Sequence, residues 1–141
     1  SDSVRFIRNK INIPISSCEN LYGIRQFKPY FDNQSIDICS VDVIWNGLTE
    51  SIKIANLASI NDINVTCHNF NGYLSTFISM HFCSLIPNLK IAEIDVEDVP
   101  WRDEIFTEKP KIIDGNFIFN NKPGWGCDVN EKKIKNYLWD K

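Results

Sequence analysis

The sequence predicts an α/β fold on a parallel sheet, organised as half of an eight-stranded barrel. Three observations carry this expectation. Short β-branched runs alternate with stretches of helical period, the pattern of strand-helix-strand units joined by right-handed crossovers. Four ionisable side chains, Glu19, Asp42, His68 and Glu93, each follow one of these runs, at separations of 23, 26 and 25 residues, the length of one such unit. The runs number four, half of what a closed barrel of this kind needs.

In chain order, Val4, Phe6, Ile7 and Ile11 read as the end of an amphipathic helix. The chain opens Ser-Asp-Ser without an initiator Met, so it is expected to begin mid-fold. Residues 11–16 are too short and β-branched for a helix and are predicted as the first strand. Residues 23–31, with Ile24, Phe27 and Phe31 on one stripe, form a predicted short helix closed by Asp32-Asn33. Residues 36–41 make the second strand. Leu48, Ile52, Ala55 and Ala58 recur at helical spacing behind Asn46-Gly47, giving a longer helix that ends near Asn61-Asp62. Residues 63–67 are the third strand. A third helix spans 73–85, with Leu74, Phe77, Ile78, Phe82 and Leu85 on a single face and Pro87 behind it. Residues 90–94 make the fourth strand, after which no regular helix follows.

The remainder differs in kind. Residues 95–111 are acidic, contain Pro100 and Pro110 and lack a period, so a long loop is expected. Asp114-Gly115 between apolar residues predicts a hairpin over 112–119. Pro123-Gly124-Trp125-Gly126 is a turn, and 131–139 a last short helix. The expected division is a half-barrel over 1–94 and a C-terminal loop, hairpin and capping segment over 95–141. Four strands by themselves leave two open sheet edges and one wet face. The other half is therefore expected on another chain or stretch of chain, or the half-barrels pair with one another as a homo-oligomer.

At 141 residues, with 43% hydrophobic and 23% charged residues, the chain reads as an ordinary globular protein able to bury one core. A net charge of -3 without a long basic run argues against nucleic acid and anionic membrane as partners. No stretch approaches the roughly 18 to 20 apolar residues of a membrane span, and no signal segment opens the chain, so a cytoplasmic setting is expected. Five cysteines (Cys18, Cys39, Cys67, Cys83, Cys127) without a CxxC pairing indicate neither a disulfide framework nor a zinc cage. Cys18, Cys39 and Cys67, each near a strand end, read as small buried hydrophobes.

In a parallel barrel the four spaced side chains converge on one rim. Removing the proton next to a carboxylate needs a cation to stabilise the enediolate and a base within hydrogen-bond reach. Glu19 supplies the hard oxygen that Mg2+ prefers, although one carboxylate does not hold the ion alone. His68 is the natural base, and Asp42, one strand over, is placed to fix its tautomer. Glu93, on the far side of His68, is placed to donate a proton to the substrate carboxylate as charge builds. Each has a plainer alternative: Glu19 an exposed loop residue, Asp42 a cap of the turn into Asn46-Gly47, His68 a structural histidine. His81, on the apolar face of the third helix, reads as a packed core histidine. Asp95, Glu97 and Asp98 read as a solvated acidic loop beside Glu93.

These residues resemble a known family. Pro14-Ile15-Ser16-Ser17-Cys18-Glu19-Asn20-Leu21-Tyr22-Gly23 is similar to the segment of the enolase superfamily, mandelate racemase subgroup, that carries the third metal-binding glutamate. Ser40-Val41-Asp42-Val43 with Asn46-Gly47-Leu48-Thr49-Glu50 resembles the next strand and its turn, and Cys67-His68-Asn69-Phe70 the base-bearing strand. Pro87-Asn88-Leu89 through Glu93-Ile94-Asp95-Val96, then Pro100-Trp101, resembles the last strand of sugar-acid dehydratases of the galactonate dehydratase group. Asp114-Gly115 and Pro123-Gly124-Trp125-Gly126 fit the family's C-terminal capping segment.

The resemblance implies strands five to eight of a modified TIM-type barrel, with Glu19 as a Mg2+ ligand, Asp42 and His68 as a dyad, and Glu93 as an electrophilic carboxyl. It also implies that two further metal ligands, a second-strand acid or base and a substrate-capping domain lie upstream of Ser1, leaving the chain inactive unless complemented. Cys18 replaces a usual glycine, and Ser40-Val41 a usual Gln-Pro. The expected function is that of the C-terminal part of an acid-sugar dehydratase acting on a small sugar acid. A racemase or epimerase on the same scaffold is the enzymatic alternative, distinguished by a second base facing His68. A non-catalytic, self-associating half-barrel is the alternative from another class.

Overall fold

The computed structural model describes residues 1–96 and 99–138. Glu97, Asp98 and Trp139, which the sequence assigns to the acidic loop and the last helix, lie outside the described residues. The elements are α1 (Asp2–Arg8), β1 (Ser16–Ser17), α2 (Gly23–Asp32), β2 (Ile38–Asp42), α3 (Val43–Asn46), α4 (Leu48–Ile60), β3 (Asn64–His68), α5 (Tyr73–Leu85) and β4 (Leu89–Ala92). Beyond them come α6 (Arg102–Ile105), β5 (Ile112–Ile113), β6 (Asn116–Phe117), α7 (Glu131–Ile134) and a 3-10 turn (Lys135–Tyr137).

The first four strands form one parallel sheet in the order β1-β2-β3-β4, with helices as crossovers, which is the half-barrel. One face is packed by the helices. Cys39, Val41, Val65 and Cys67 point into that side and are fully buried against Phe27, Phe31, Ile54, Ala55, Ala58 and Phe82. Burying Phe27 and Phe31 completely contributes roughly 2 to 3 kcal/mol each, and their spacing of four residues sets the inward stripe of α2. The other face is the inner wall of the half-barrel. Ser16, Ile38, Ser40, Thr66, His68, Ile91 and Glu93 line a hollow of about 470 Å³ there.

Several boundaries differ from expectation. The first strand is confined to Ser16–Ser17, because the Ile15 N–H goes to the Asp37 side chain and Pro14 has no N–H for a ladder. In α1 only Val4 packs on the core, whereas Phe6 and Ile7 are exposed and Ile11 lies beyond the helix. Strands β2 and β3 run one residue further than predicted, so that Asp42 and His68 are themselves the last strand residues and lie in register. The helix α3 was not expected. Leu85 is exposed, and the buried face of α5 runs instead through Ser75, Thr76, Phe77, Ser79, Met80, Phe82 and Cys83.

The stretch read as a long loop contains α6, whose Arg102 and Ile105 are buried. Arg102 pairs with Asp95 at 3.0 Å, both side chains being about a tenth exposed, so Asp95 is an ion-pair partner and not a solvated loop residue. The hairpin β5-β6 turns at Asp114 and Gly115, both at positive φ (49° and 75°), as the primed turn requires. Behind it, Phe117 meets Phe77 edge-on at 5.3 Å and Phe106 lies 5.6 Å from Tyr73, so the C-terminal segment packs on α5.

Candidate active site

The carboxyl ends of β1 to β4 bring the predicted residues to one end of the sheet. Asp42 ends β2 and is 1% exposed. Its Oδ1 accepts the Trp45 N–H at 2.9 Å and caps α3, while Oδ2 lies 2.9 Å from Nδ1 of His68 at the end of β3. The capping role and the histidine contact are thus both met, one by each oxygen. With a carboxylate as acceptor, Nδ1 is the donor, so that in the neutral ring the lone pair is on Nε2. His68 is 28% exposed and borders the hollow.

Glu19 sits two residues past β1, after Cys18, whose φ of 95° turns the chain. It is half-buried, its Oε1 takes a long bond from Asn20 Nδ2 (3.3 Å), and it lines the same hollow as His68 and Glu93. Glu93 follows β4. Its Oε2 accepts the backbone N–H of Asn69 at 2.7 Å, and the side chain lines the hollow. The structure thus gathers all four side chains.

The sequence reading assigned no role to Asn69, which is fully buried between His68 and Glu93. Its Nδ2 donates to the Glu93 C=O and to Thr76 Oγ1 (3.1 Å each), and its Oδ1 accepts from Ser75 Oγ at 3.0 Å. An asparagine directly after the histidine, with Ser-Thr in the first turn of the next helix, was the available signal. His81 differs from expectation: it is partly exposed, with Nε2 at 3.2 Å from the Trp125 C=O and its ring 4.9 Å from Phe119. It holds the C-terminal segment to α5 rather than filling the core.

The five cysteines are free thiols, all buried. Burial, reinforced by hydrogen bonding to Cys18, pushes the Cys39 thiol well above its ordinary range, so it packs as a neutral small hydrophobe. Among the described residues no group of three or more His, Cys, Asp or Glu side chains is placed to hold a metal ion. Glu19 nonetheless suits Mg2+ as a single ligand, being a hard oxygen donor at the mouth of the hollow. No helix among the described residues is long and apolar enough to cross a membrane.

A parallel half-barrel with a carboxylate-supported imidazole and two further carboxylates at its strand ends falls among the barrel proteins that keep their chemistry on that rim. The chain belongs to the Enolase C-terminal domain-like family, which matches residues 1–133. It is 32% identical to a D-galactonate dehydratase family member of Musicola paradisiaca (strain Ech703), over 99% of this chain and 34% of that protein. It thus spans about a third of that relative's length.

Among solved structures, it resembles a provisionally assigned L-alanine-DL-glutamate epimerase of Burkholderia xenovorans strain LB400, bound to magnesium and fumarate. Here the TM-score is 0.91 and the identity 47%, over 94% of this chain and 33% of the other. It likewise resembles the 3,6-anhydro-D-galactonate cycloisomerase of Zobellia galactanivorans, with a TM-score of 0.89 and 31% identity, over 99% of this chain and 40% of that one.

Proposed function

We propose that this chain is the C-terminal part of a Mg2+-dependent acid-sugar dehydratase, inactive unless completed by an upstream half-barrel and capping domain. The observation that carries the reading is the 2.9 Å contact between Asp42 Oδ2 and His68 Nδ1, because it leaves Nε2 of His68 as a base facing the hollow. His68 takes the proton next to the substrate carboxylate. Asp42 holds the imidazole in the required tautomer and offsets the charge of the imidazolium.

Glu93, its Oε2 occupied by the Asn69 N–H, presents Oε1 to the substrate carboxylate and donates to it as charge develops. Glu19 supplies one ligand to Mg2+, which when bound stabilises the negative charge of the enediolate. Return of the proton from His68 to the departing β-hydroxyl releases water and leaves an enol, which becomes the 2-keto-3-deoxy acid as its hydroxyl proton moves to the β-carbon. The galactonate dehydratase family relative supports this substrate class.

A racemase or epimerase is the second reading, favoured by the 47% identity to the Burkholderia protein. It requires a second base on the opposite side of the substrate from His68, which would come from an upstream strand. Replacing His68 with Asn in the complete enzyme is expected to abolish exchange of the substrate's α-proton with deuterated solvent. Retained exchange would remove His68 from the base role under either reading.

A further inference from the structure

The loop that carries Glu19 leaves β1 after only two strand residues. The Leu21 N–H bonds the Cys18 C=O and the Tyr22 N–H bonds Gln26 Oε1, and Asn46, the last residue of α3, ties the loop to the neighbouring strand. Asn46 Nδ2 donates to the C=O of Leu21 at 3.1 Å and to the C=O of Asp42 at 3.0 Å, and Oδ1 accepts the Gly23 N–H at 2.8 Å. The orientation of this amide is unambiguous, because two partners are obligate acceptors and the third is an obligate donor. A second contact joins the same two segments: the rings of Tyr22 and Trp45 stack at 5.1 Å with 3° between their planes. Trp45 is also the residue whose N–H donates to the capping Oδ1 of Asp42.

Nearby, Glu50 Oε1 accepts the Ile24 N–H at 3.0 Å. Glu50 thus caps α2 just as Asn46 does at Gly23, but its other partner is Lys53 Nζ at 3.3 Å, and among the described residues it bonds neither the Glu19 loop nor Asp42. Two adjacent side chains therefore share one structural task and differ in a second.

We propose that Asn46 is a positioning residue that sets Glu19 against the Asp42–His68 pair, by tying the Leu21 carbonyl of the loop and the Asp42 carbonyl of β2 through one amide. The inference rests on the metal-binding reading of Glu19. Side chains that orient a metal ligand are typically worth about 10- to 100-fold in metal affinity, even though they never touch the ion.

The test compares Asn46→Ala with Glu50→Ala by two measurements. In this chain, amide hydrogen exchange across residues 19–22 is expected to quicken about tenfold in Asn46→Ala and to stay near the parent rate in Glu50→Ala. In the complete enzyme, Mg2+ affinity by calorimetry is expected to weaken about 10- to 100-fold in Asn46→Ala and to remain unchanged in Glu50→Ala. Asn46→Asp, which keeps the acceptor for Gly23 and loses both donor bonds, is expected to behave as Asn46→Ala.

Equal losses in the two alanine variants would reduce Asn46 to a helix cap, and unchanged Mg2+ affinity in Asn46→Ala would overturn the inference directly. Glu19→Ala separates this failure from that of the underlying reading. If Glu19→Ala abolishes Mg2+ binding while Asn46→Ala does not, the positioning role alone falls. If Glu19→Ala leaves Mg2+ binding intact, the metal role of Glu19 falls and the positioning role with it.

Discussion

Cys18 shows how a single residue carries backbone strain beside a functional candidate. Its φ of 95° lies in the region that L residues avoid, at a cost of roughly 1 to 2 kcal/mol, yet its side chain is buried against Cys39. Two effects oppose each other there, so replacing the residue with glycine relieves strain and removes packing at once. Comparing two variants isolates the strain. Cys18→Ala keeps the strained backbone and loses the sulfur, whereas Cys18→Gly loses the sulfur and the strain. Cys18→Gly is expected to be the more stable of the two by about 1 kcal/mol, read as a higher urea midpoint at equal slope. The opposite order would mean that the turn relaxes without cost.

Among the elements, α1 is joined to the sheet mainly by polar contacts. Asp37 Oδ1 accepts from Arg8 Nε and Nη2 (2.9 and 2.7 Å), and Oδ2 accepts the Ile15 N–H at 2.8 Å, just before β1. The Arg8 hydrogen bonds hold the Asp37 carboxyl below its ordinary value of 3.8. A depressed folded-state value means that the unfolded chain binds the proton more readily. The stabilisation is therefore present above the ordinary aspartate range and is lost as pH falls through it. Asp37→Asn is expected to lower the melting temperature at neutral pH, and the gap to the parent protein should close below about pH 3.8. A gap independent of pH would show that the contact acts through geometry alone.

For the molecule as a whole, the inner wall is the decisive surface. Ile91 is 68% exposed and Leu89 39%, and among the described residues β1 and β4 each pair with one neighbour only. Open parallel edges beside apolar side chains favour association. By light scattering after size exclusion, the chain by itself is expected to run above its monomer mass of 16.3 kDa, and Ile91→Lys to shift it toward the monomer. A chain that stays monomeric at every loading concentration would contradict this.

The alternation of strands and helices, the inward stripe of α2, the Asp114-Gly115 hairpin and the recurrence of Glu19, Asp42, His68 and Glu93 at one unit length were all legible in the sequence. Each is a local period or a fixed count along the chain. What only the tertiary structure decided are the bonds that cross from one unit to the next. These include the hold of Asn46 on Leu21, that of Asn69 on Glu93, the burial of Arg102 with Asp95, and the placing of His81 under Trp125 rather than in the core. Such partners lie between 7 and 44 residues apart, and which of them meet depends on how the sheet twists and how its helices settle on it. No periodicity along a single segment encodes that closure.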